Sequence, residues 1–172
     1  WSRGLGDVYK RQVSSSRSPR FKAGDKVLVN GWGLGEQYWG GLAQKAAINA
    51  DFVQALPETI SAHHAMNVGT AGYTAMLCVM ALESQNITPD KGEILVTGAN
   101  GGVGTTAIAI LAKLGYTVVA STGRQEQADA LKALGASEVI DRAQLSEPGR
   151  PLAKERWAGV VDSVGSLSLI HI

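Results

Sequence analysis

The hydrophobic pattern of the chain changes its period near residue 60. Before that point, the segment KVLV at residues 26–29 shows the alternation of a strand, and glycines follow at 31, 33, 35, 40 and 41. Short strands joined by glycine-rich corners are typical of a small β-barrel. After that point, Ser61 can cap a helix, and a long apolar stretch at residues 72–82 predicts a buried one. We therefore expect a domain boundary near residue 60.

Three aromatic residues, Trp32, Tyr38 and Trp39, lie among the glycines of the first segment. They could line a ligand groove. Aromatic residues interleaved with glycine more often belong to a barrel core or to a folded-over loop, and we favour that interpretation.

Strand and helix patterns alternate from residue 93 onward. The four predicted strands are ILVTG at 94–98, YTVVAS at 116–121, SEVI at 137–140 and WAGVVDSVG at 157–165. The two predicted helices carry apolar stripes, at Val103, Ala107, Ile110, Leu111 and Leu114 in the first and at Ala128, Leu131 and Leu134 in the second. Gly115 and Gly135 can end these helices. Apolar strands separated by helices predict a parallel sheet with helices on both faces.

The stretch EILVTGANGGVG at residues 93–104 places four glycines between the first of these strands and its helix. Such a turn directs backbone N–H groups and the positive end of the helix dipole at one spot, where a pyrophosphate binds. Ala99, Gly101 and Gly104 fit the dinucleotide fingerprint in an A-x-G-x-x-G variant. Because the motif follows a strand and opens a helix, we interpret it as a dinucleotide-binding turn.

Two other templates fit this stretch less well. A phosphate-binding loop for ATP or GTP requires Lys and then Ser or Thr after its last glycine, whereas Thr105 and Thr106 follow Gly104. Residues 97–104 also satisfy T-G-x-x-x-G-x-G, which resembles the short-chain dehydrogenase pattern. Those enzymes carry a catalytic Tyr-x-x-x-Lys, and none of the four tyrosines has a lysine four residues later.

The end of the second strand favours NADP over NAD. An NAD site usually places Asp or Glu there, about 20 residues beyond the glycines, to hold the ribose hydroxyls. Here the sequence is STGR at residues 121–124, without a carboxylate. The hydroxyl of Thr122 can donate to a 2′-phosphate, and Arg124 can form a charge-assisted contact with it. An arginine that only opened a helix would oppose the helix dipole.

Composition narrows the classes of partner. Sixteen basic and fifteen acidic residues give a net charge of +1, which argues against nucleic acid or an anionic membrane surface. Cys78 is the single cysteine, so an intramolecular disulfide is excluded, and His63 and His64 have no further ligand at metal-binding spacing. The apolar runs are shorter than the roughly 20 residues of a membrane helix. We expect a cytoplasmic protein without a metal site.

The two ends of the chain do not fit the segments that they adjoin. Residues 1–12, WSRGLGDVYKRQ, and residues 166–172, which end in LSLIHI, resemble translated adapter read-through. We therefore expect a barrel part at residues 13–60 and a dinucleotide-binding part at residues 61–165, flanked by these two ends.

The order of the motifs resembles that of one enzyme family. The segment GWGLGEQYWGGLA is followed by GTAGYTAMLCVMALE, ILVTGANGGVGTTAIAILAKLGYTVVASTGR, LGASEVIDR and WAGVVDSVG. From Val13 to Gly165 the chain resembles the zinc-independent quinone oxidoreductase branch of the medium-chain dehydrogenase/reductase superfamily, and within it the NADPH-dependent acrylyl-CoA reductases. The resemblance implies an α/β fold, with part of a GroES-like β-barrel domain before a partial Rossmann-type sheet.

The resemblance also implies which residues bind the cofactor NADP. The turn Asn100, Gly101, Gly102 and Val103 matches the family's pyrophosphate site, Thr122, Gly123 and Arg124 match its 2′-phosphate loop, and Arg142 matches a cofactor contact.

The implied reaction is hydride transfer from NADPH to the β-carbon of an α,β-unsaturated acyl-CoA such as acrylyl-CoA, followed by protonation of the α-carbon. A quinone or enone reductase of the same branch and a nucleotide-binding module without catalysis are the alternatives. The family's first barrel strands and last sheet strands have no counterpart in this chain, so no catalytic residue is assigned. The resemblance implies a homodimeric parent protein that acts on a small molecule.

Overall fold

The computed structural model describes residues 8–145 and 155–165. The chain divides into two compact units, the first ending at Thr70 and the second beginning at Ala71. This division lies later in the chain than the boundary near residue 60 that the hydrophobic pattern predicts. Residues 1–7 and 166–172 lie outside the described residues, so the adapter origin of the two ends stays a prediction.

The first unit contains a three-stranded antiparallel sheet in the order β1-β2-β3. Its strands span Val8–Gln12, Lys26–Asn30 and Val53–Ala55. Val27 and Val29 of β2 lie on one face and are buried together with Leu34 and Val53. This alternation is the one that the sequence predicts. Strand β1 overlaps the segment 1–12, which is expected to be adapter-derived.

A folded-over loop follows β2. Glycines 31, 33 and 35 have φ values of +77°, +70° and +85°, a region that favours glycine, and they let the chain turn back on itself. Trp32 stacks on Phe52 with ring centroids 4.8 Å apart, and Tyr38 meets the same ring edge-on at 5.6 Å. Trp32, Tyr38 and Trp39 are nevertheless 58%, 54% and 93% exposed. These aromatic residues thus belong to a folded-over loop and not to the barrel core.

Helix α1 spans Ala62–Ser84 and begins where the pattern predicts. The backbone N–H of His64 donates to the hydroxyl oxygen of Ser61 at 3.1 Å, which is the expected N-cap. The backbone is not helical at Gly69, where φ is +50° and ψ is −160°. The division between the two units follows directly after this break.

Among the described residues, α1 is the one helix that is long and apolar enough to cross a membrane. The apolar runs of the sequence do not predict this length. Core helices of soluble proteins pass the same test. Gly69 interrupts α1, and Ala75 and Val79 are fully buried in the core of the second unit. One side of α1 thus packs in the core, while Tyr73, Leu77 and Met80 remain exposed, so the helix is less buried than the sequence pattern predicts.

The second unit contains a four-stranded parallel sheet in the order β6-β5-β4-β7. Strands β4, β5, β6 and β7 span Glu93–Val96, Val118–Thr122, Glu138–Asp141 and Trp157–Val161, and helices α2 and α3 span Gly102–Lys113 and Ala128–Ala133. The chain proceeds from β4 to β6 on one side and returns to the other side of β4 with β7. The strand order therefore reverses between β4 and β7, at the place where ligands bind in open α/β sheets.

The two helices depart from their predicted apolar stripes at their carboxyl ends. Leu114 and Leu134 follow the last helical residues and are 45% and 41% exposed, so they do not belong to the core. Ile108, outside the predicted stripe, is fully buried. Gly115 and Gly135 end the helices as predicted, with φ values of +89° and +113°.

Two apolar clusters lie on the two faces of the sheet. The first contains Ile94, Val96, Val118 and Ala120 together with buried residues of α1, α2 and α3. The second contains Leu95, Val119, Ile140 and Trp157, with Leu145 and Val160 packed against them. Alternate residues of β4 and β5 thus face opposite clusters, as the pleat requires. Within residues 8–145 and 155–165, residues of the α-helices belong only to the first cluster. The described part of the chain therefore has an α-helical layer on one face of the sheet.

Candidate dinucleotide-binding site

A cavity of about 790 Å³ lies at the carboxyl end of the parallel sheet. It is lined by residues that follow four strands: Thr97, Gly98, Asn100, Gly101, Ser121, Thr122, Gly123, Arg124, Arg142, Leu145, Asp162, Ser163 and Val164. Six of the eight predicted cofactor residues are among them. The other two, Gly102 and Val103, begin helix α2, and the Val103 side chain packs against the core instead.

The glycine-rich turn brings β4 and α2 into very close contact. A Cβ atom on Gly104 would lie 2.5 Å from the carbonyl oxygen of Gly98 and 2.8 Å from Cα of Ala99, so a side chain is excluded there. Gly98 has a φ of +57°, and its carbonyl accepts a hydrogen bond from the N–H of Gly101 at 2.8 Å. No side chain of the described residues caps the N-terminus of α2. Its first N–H groups can therefore receive an anion.

Thr122 joins the glycine-rich turn to the loop after β5. Its hydroxyl donates to the side-chain oxygen of Asn100 and accepts from the backbone N–H of Arg124 at 2.9 Å. The amide of Gln125 also donates to the carbonyl of Thr122 at 3.2 Å. Thr122 is only 5% exposed, and its single hydroxyl proton is already engaged. Thr122 therefore shapes the loop, and donation from its hydroxyl to a 2′-phosphate stays a prediction.

Two guanidinium groups line the cavity beside this loop. Arg124 is the residue directly after Gly123, and Arg142 follows β6. A Cβ atom on Gly123 would lie 2.8 Å from Nε of Arg142 and 3.2 Å from its Cζ. Gly123 therefore leaves the space in which the Arg142 side chain lies against the loop. Sequence reasoning from the residues alone would treat Arg142 as a loop charge, because its proximity to Gly123 depends on the pairing of β5 with β6.

Thr97, Asp162, Ser163 and Val164 line the cavity on the β7 side and are absent from the predicted set. The sequence pattern extends the fourth strand to residue 165, whereas β7 ends at Val161. Residues 162–165 therefore form a turn at the carboxyl end of a parallel strand. An acidic residue directly after a buried strand is the signal that could have found this turn.

Asp162 is held in its ionised form. Partial burial raises the pKa of Asp162, but hydrogen bonds from the Thr97 hydroxyl and from the N–H groups of Val164 and Gly165 outweigh it, so the pKa lies below its usual value. Asp162 is the one carboxylate in the lining of this cavity as far as the structure describes it.

A second cavity, of about 1000 Å³, lies in the first unit. It is lined largely by apolar residues such as Val27, Val29 and Val53, and its charged lining groups are Arg17 and Lys45. Within the described residues it has neither a glycine-rich helix N-terminus nor a titratable pair. Nor do the described residues contain any group of three or more His, Cys, Asp or Glu side chains that could hold a metal ion. The second unit is therefore the stronger candidate site.

No family model matches the sequence. Among curated proteins, the chain is 53% identical over 160 residues to a probable acrylyl-CoA reductase of Escherichia coli, and 48% identical over 161 residues to a putative quinone oxidoreductase of Bacillus subtilis. Each match covers 93% of this chain and 49% of the relative. The chain thus spans about half the length of these curated relatives.

Solved structures give the same picture. An oxidoreductase from Salmonella enterica in complex with NADP matches with a TM-score of 0.90 and 51% identity, covering 95% of this chain and 50% of that one. A Bacillus subtilis protein with NAD bound matches with a TM-score of 0.92 and 46% identity, covering 97% of this chain and 51% of that one. Over nearly its whole length the chain is therefore similar to the zinc-independent quinone oxidoreductase branch of the medium-chain dehydrogenase/reductase superfamily. The predicted family resemblance and fold class are thereby confirmed.

Proposed function

We propose that the chain is part of a longer NADPH-dependent reductase whose cofactor binds in the cavity at the carboxyl end of the parallel sheet. The observation that carries the proposal is the combination, in one cavity, of a helix N-terminus without a side-chain cap and two arginines. The first suits a pyrophosphate and the second suits a further phosphate.

The described residues fit a dinucleotide in a definite order. The backbone of residues 100–103 would hold the pyrophosphate, because the start of α2 has neither a side-chain cap nor space for a side chain at Gly104. Arg124 would pair with the 2′-phosphate, and Arg142 would lie beside the adenosine end. Thr122 and Gly123 would hold these arginines in position. NADPH, once bound, supplies the hydride.

NADPH is favoured over NADH by the charge of this lining. The ribose hydroxyls of NAD are usually held by Asp or Glu after the second strand. Here Thr122, Gly123 and Arg124 occupy that place, and the single lining carboxylate, Asp162, is engaged with Thr97 on the β7 side. The Salmonella relative binds NADP and the Bacillus relative has been solved with NAD, so selectivity for the 2′-phosphate needs a direct measurement.

The proposed reaction is reduction of the carbon–carbon double bond of an α,β-unsaturated acyl-CoA, with acrylyl-CoA as the first substrate to test. The 53% identical relative from Escherichia coli is a probable acrylyl-CoA reductase, which supports this choice. The 48% identical relative from Bacillus subtilis is a putative quinone oxidoreductase, which supports quinones as the second candidate. We further propose that the longer protein is cytoplasmic and homodimeric and has no metal in its site.

The test uses the full-length protein, obtained by extending the gene beyond both ends of the present chain. Oxidation of NADPH and of NADH is followed with acrylyl-CoA and with a simple quinone. We expect NADPH-selective turnover of the thioester, and Arg124→Ala should raise KM for NADPH roughly tenfold or more while changing KM for NADH little, since a charge-assisted phosphate contact is lost. The matched control is Arg20→Ala, which removes an exposed arginine of the first unit that pairs with Asp51.

Three outcomes would change the proposal. Turnover of the quinone alone would favour the second candidate. Tight NADPH binding without turnover of either acceptor would leave a nucleotide-binding module. Equal use of NADH and NADPH by the wild type and by Arg124→Ala would contradict the assignment of the 2′-phosphate site.

A further inference from the structure

The turn after β7 is fastened to the carboxyl end of β4 by a closed set of hydrogen bonds. The Thr97 hydroxyl donates to Oδ1 of Asp162 at 2.5 Å and accepts from the N–H of Ser163 at 3.2 Å. The Ser163 hydroxyl donates to the Thr97 carbonyl at 3.0 Å. Thr97 thus contacts the turn through both its side chain and its backbone. Thr97 is only 6% exposed, whereas Asp162 and Ser163 are exposed to solvent, so the anchor point of the turn is buried while the turn itself lies at the surface.

Asp162 also organises the turn itself. Its carboxylate accepts from the N–H of Val164 at 3.1 Å and from the N–H of Gly165 at 3.2 Å. One side chain therefore binds the hydroxyl of β4 and two successive N–H groups of its own turn. Removal of either partner of the Thr97–Asp162 pair would leave the turn held to Thr97 chiefly through Ser163.

The anchored turn contacts the first residue of the glycine-rich turn. A Cβ atom on Gly98 would clash with Oγ of Ser163 and would lie 3.1 Å from Cγ2 of Val164. Gly98 in turn accepts the hydrogen bond from Gly101 that shapes the start of α2. A displacement of Ser163 would therefore be transmitted to Gly98 and from there to the N–H groups at residues 101–103.

We infer that Asp162 is a positioning residue, which acts through Thr97 and Ser163 to hold the glycine-rich turn in the geometry that binds the pyrophosphate of the cofactor. The inference rests on the proposed NADPH site. It adds to that site a pair of side chains that do not themselves need to touch the cofactor. Polar contacts at the opposite, amino end of the sheet, such as those of Arg156, are expected to stabilise the fold without affecting cofactor binding.

The sharpest test removes the Thr97 hydroxyl at nearly constant volume. In the full-length protein, Thr97→Val should weaken NADPH binding roughly tenfold, the size expected for one hydrogen bond to a charged group. Thr97→Ser, which retains the hydroxyl, should bind within about twofold of wild type. Asp162→Ala should weaken binding by at least a similar factor, and the double variant Thr97→Val/Asp162→Ala by less than the product of the two single effects, because the two changes share the Thr97–Asp162 contact. Dissociation constants are measured by fluorescence titration with NADPH, well below the melting temperature of every variant.

The control for a merely structural effect is Arg156→Ala. Arg156 joins Glu93 and Glu138 at the amino ends of β4 and β6, and its loss should lower the melting temperature without changing the dissociation constant. If Thr97→Val binds NADPH as wild type does, or if Arg156→Ala weakens binding equally, the positioning role is wrong while the proposed function stands. Failure of the wild type to bind NADPH would instead overturn the proposed function, and the inference with it.

Discussion

The two ends of the parallel sheet carry polar groups of different kinds. At the amino end, Arg156 pairs with Glu93 at 3.4 Å and with Glu138 at 2.7 Å, and its guanidinium lies 4.1 Å from the ring centroid of Trp157. At the carboxyl end, the contacts run instead between hydroxyls, one carboxylate and backbone groups around a cavity. The first set consists of surface ion pairs that connect neighbouring parts of the sheet. The second set fixes backbone N–H groups in a geometry that a nucleotide can use.

The difference lies in what each set leaves available. Arg156 is matched by two glutamates, so the charges at the amino end are paired. Around the carboxyl-end cavity, Arg124 is among the lining residues, and the one carboxylate of the described lining is bound to Thr97. A site of this kind attracts an anion, whereas the amino end only ties strands together.

The largest effect is expected from Gly104→Ala in the full-length protein. In an ordinary helix this change would add helix propensity, by about 1 kcal/mol. At this position the new Cβ would lie 2.5 Å from a backbone oxygen and 2.8 Å from a backbone carbon, neither of which can move without separating β4 from α2. We expect a net destabilisation of about 1–3 kcal/mol or more and loss of NADPH binding. Urea denaturation and fluorescence titration measure the two effects.

Gly101→Ala is the graded comparison for this change. Its Cβ would lie 3.2 Å from the carbonyl oxygen of Gly98, and its backbone φ of −79° suits any residue. We expect a smaller loss of stability than for Gly104→Ala. Equal stability of Gly104→Ala and the wild type would show that β4 and α2 are less closely packed than the structure indicates.

A smaller effect is expected at the amino end, from Arg156→Ala. Its side chain is 45% exposed, and the partner side chains of Glu93 and Glu138 are 35% and 48% exposed. Exposed ion pairs contribute about 0.2–1 kcal/mol, and the lost contact with Trp157 adds an amount of similar size. The melting temperature should fall by a few degrees while KM for NADPH stays unchanged. A rise in KM for NADPH without a fall in melting temperature would show that the Arg156 ion pairs affect the proposed cofactor site and not only stability.

The sequence predicts one side of the site better than the other. The glycine-rich turn and the loop of Arg124 are local motifs, so the fingerprint and the strand-helix order suffice to find them. Thr97 and Asp162 are 65 residues apart, and Asn100 and Thr122 are 22 residues apart. Their contacts depend on which strands become neighbours. The strand order was not predicted, so the residues on the β7 side and the contact between Thr122 and Asn100 were missed.

The errors at the ends of elements have a local cause. The apolar pattern of WAGVVDSVG continues past Val161, but the Asp162 side chain accepts hydrogen bonds from the following N–H groups and turns the chain there. Leu114 and Leu134 continue the helical period, yet the left-handed glycines after them end the helices first. The period therefore identifies the elements correctly, while side-chain hydrogen bonds and glycine conformations decide where they stop.

The smallest effect concerns acid stability. Because the hydrogen bonds of Asp162 lower its pKa in the folded state, ionised Asp162 stabilises the fold at every pH above its unfolded value, about 3.9. This contribution is lost as the pH falls from about 4 through the lower folded pKa. Asp162→Asn should therefore be less stable than wild type at pH 7, and the difference should shrink between about pH 4 and pH 2, as urea denaturation at several pH values can measure.

The Asp90 carboxylate is the control, since a hydrogen bond from Thr88 also lowers its pKa but its position is fully exposed and far from β7 in the sequence. Asp90→Asn should change acid stability less, because solvent screens that interaction. A stability difference between Asp162→Asn and wild type that stays constant from pH 7 to pH 2 would show that the ionised carboxylate is not what fastens the turn to β4.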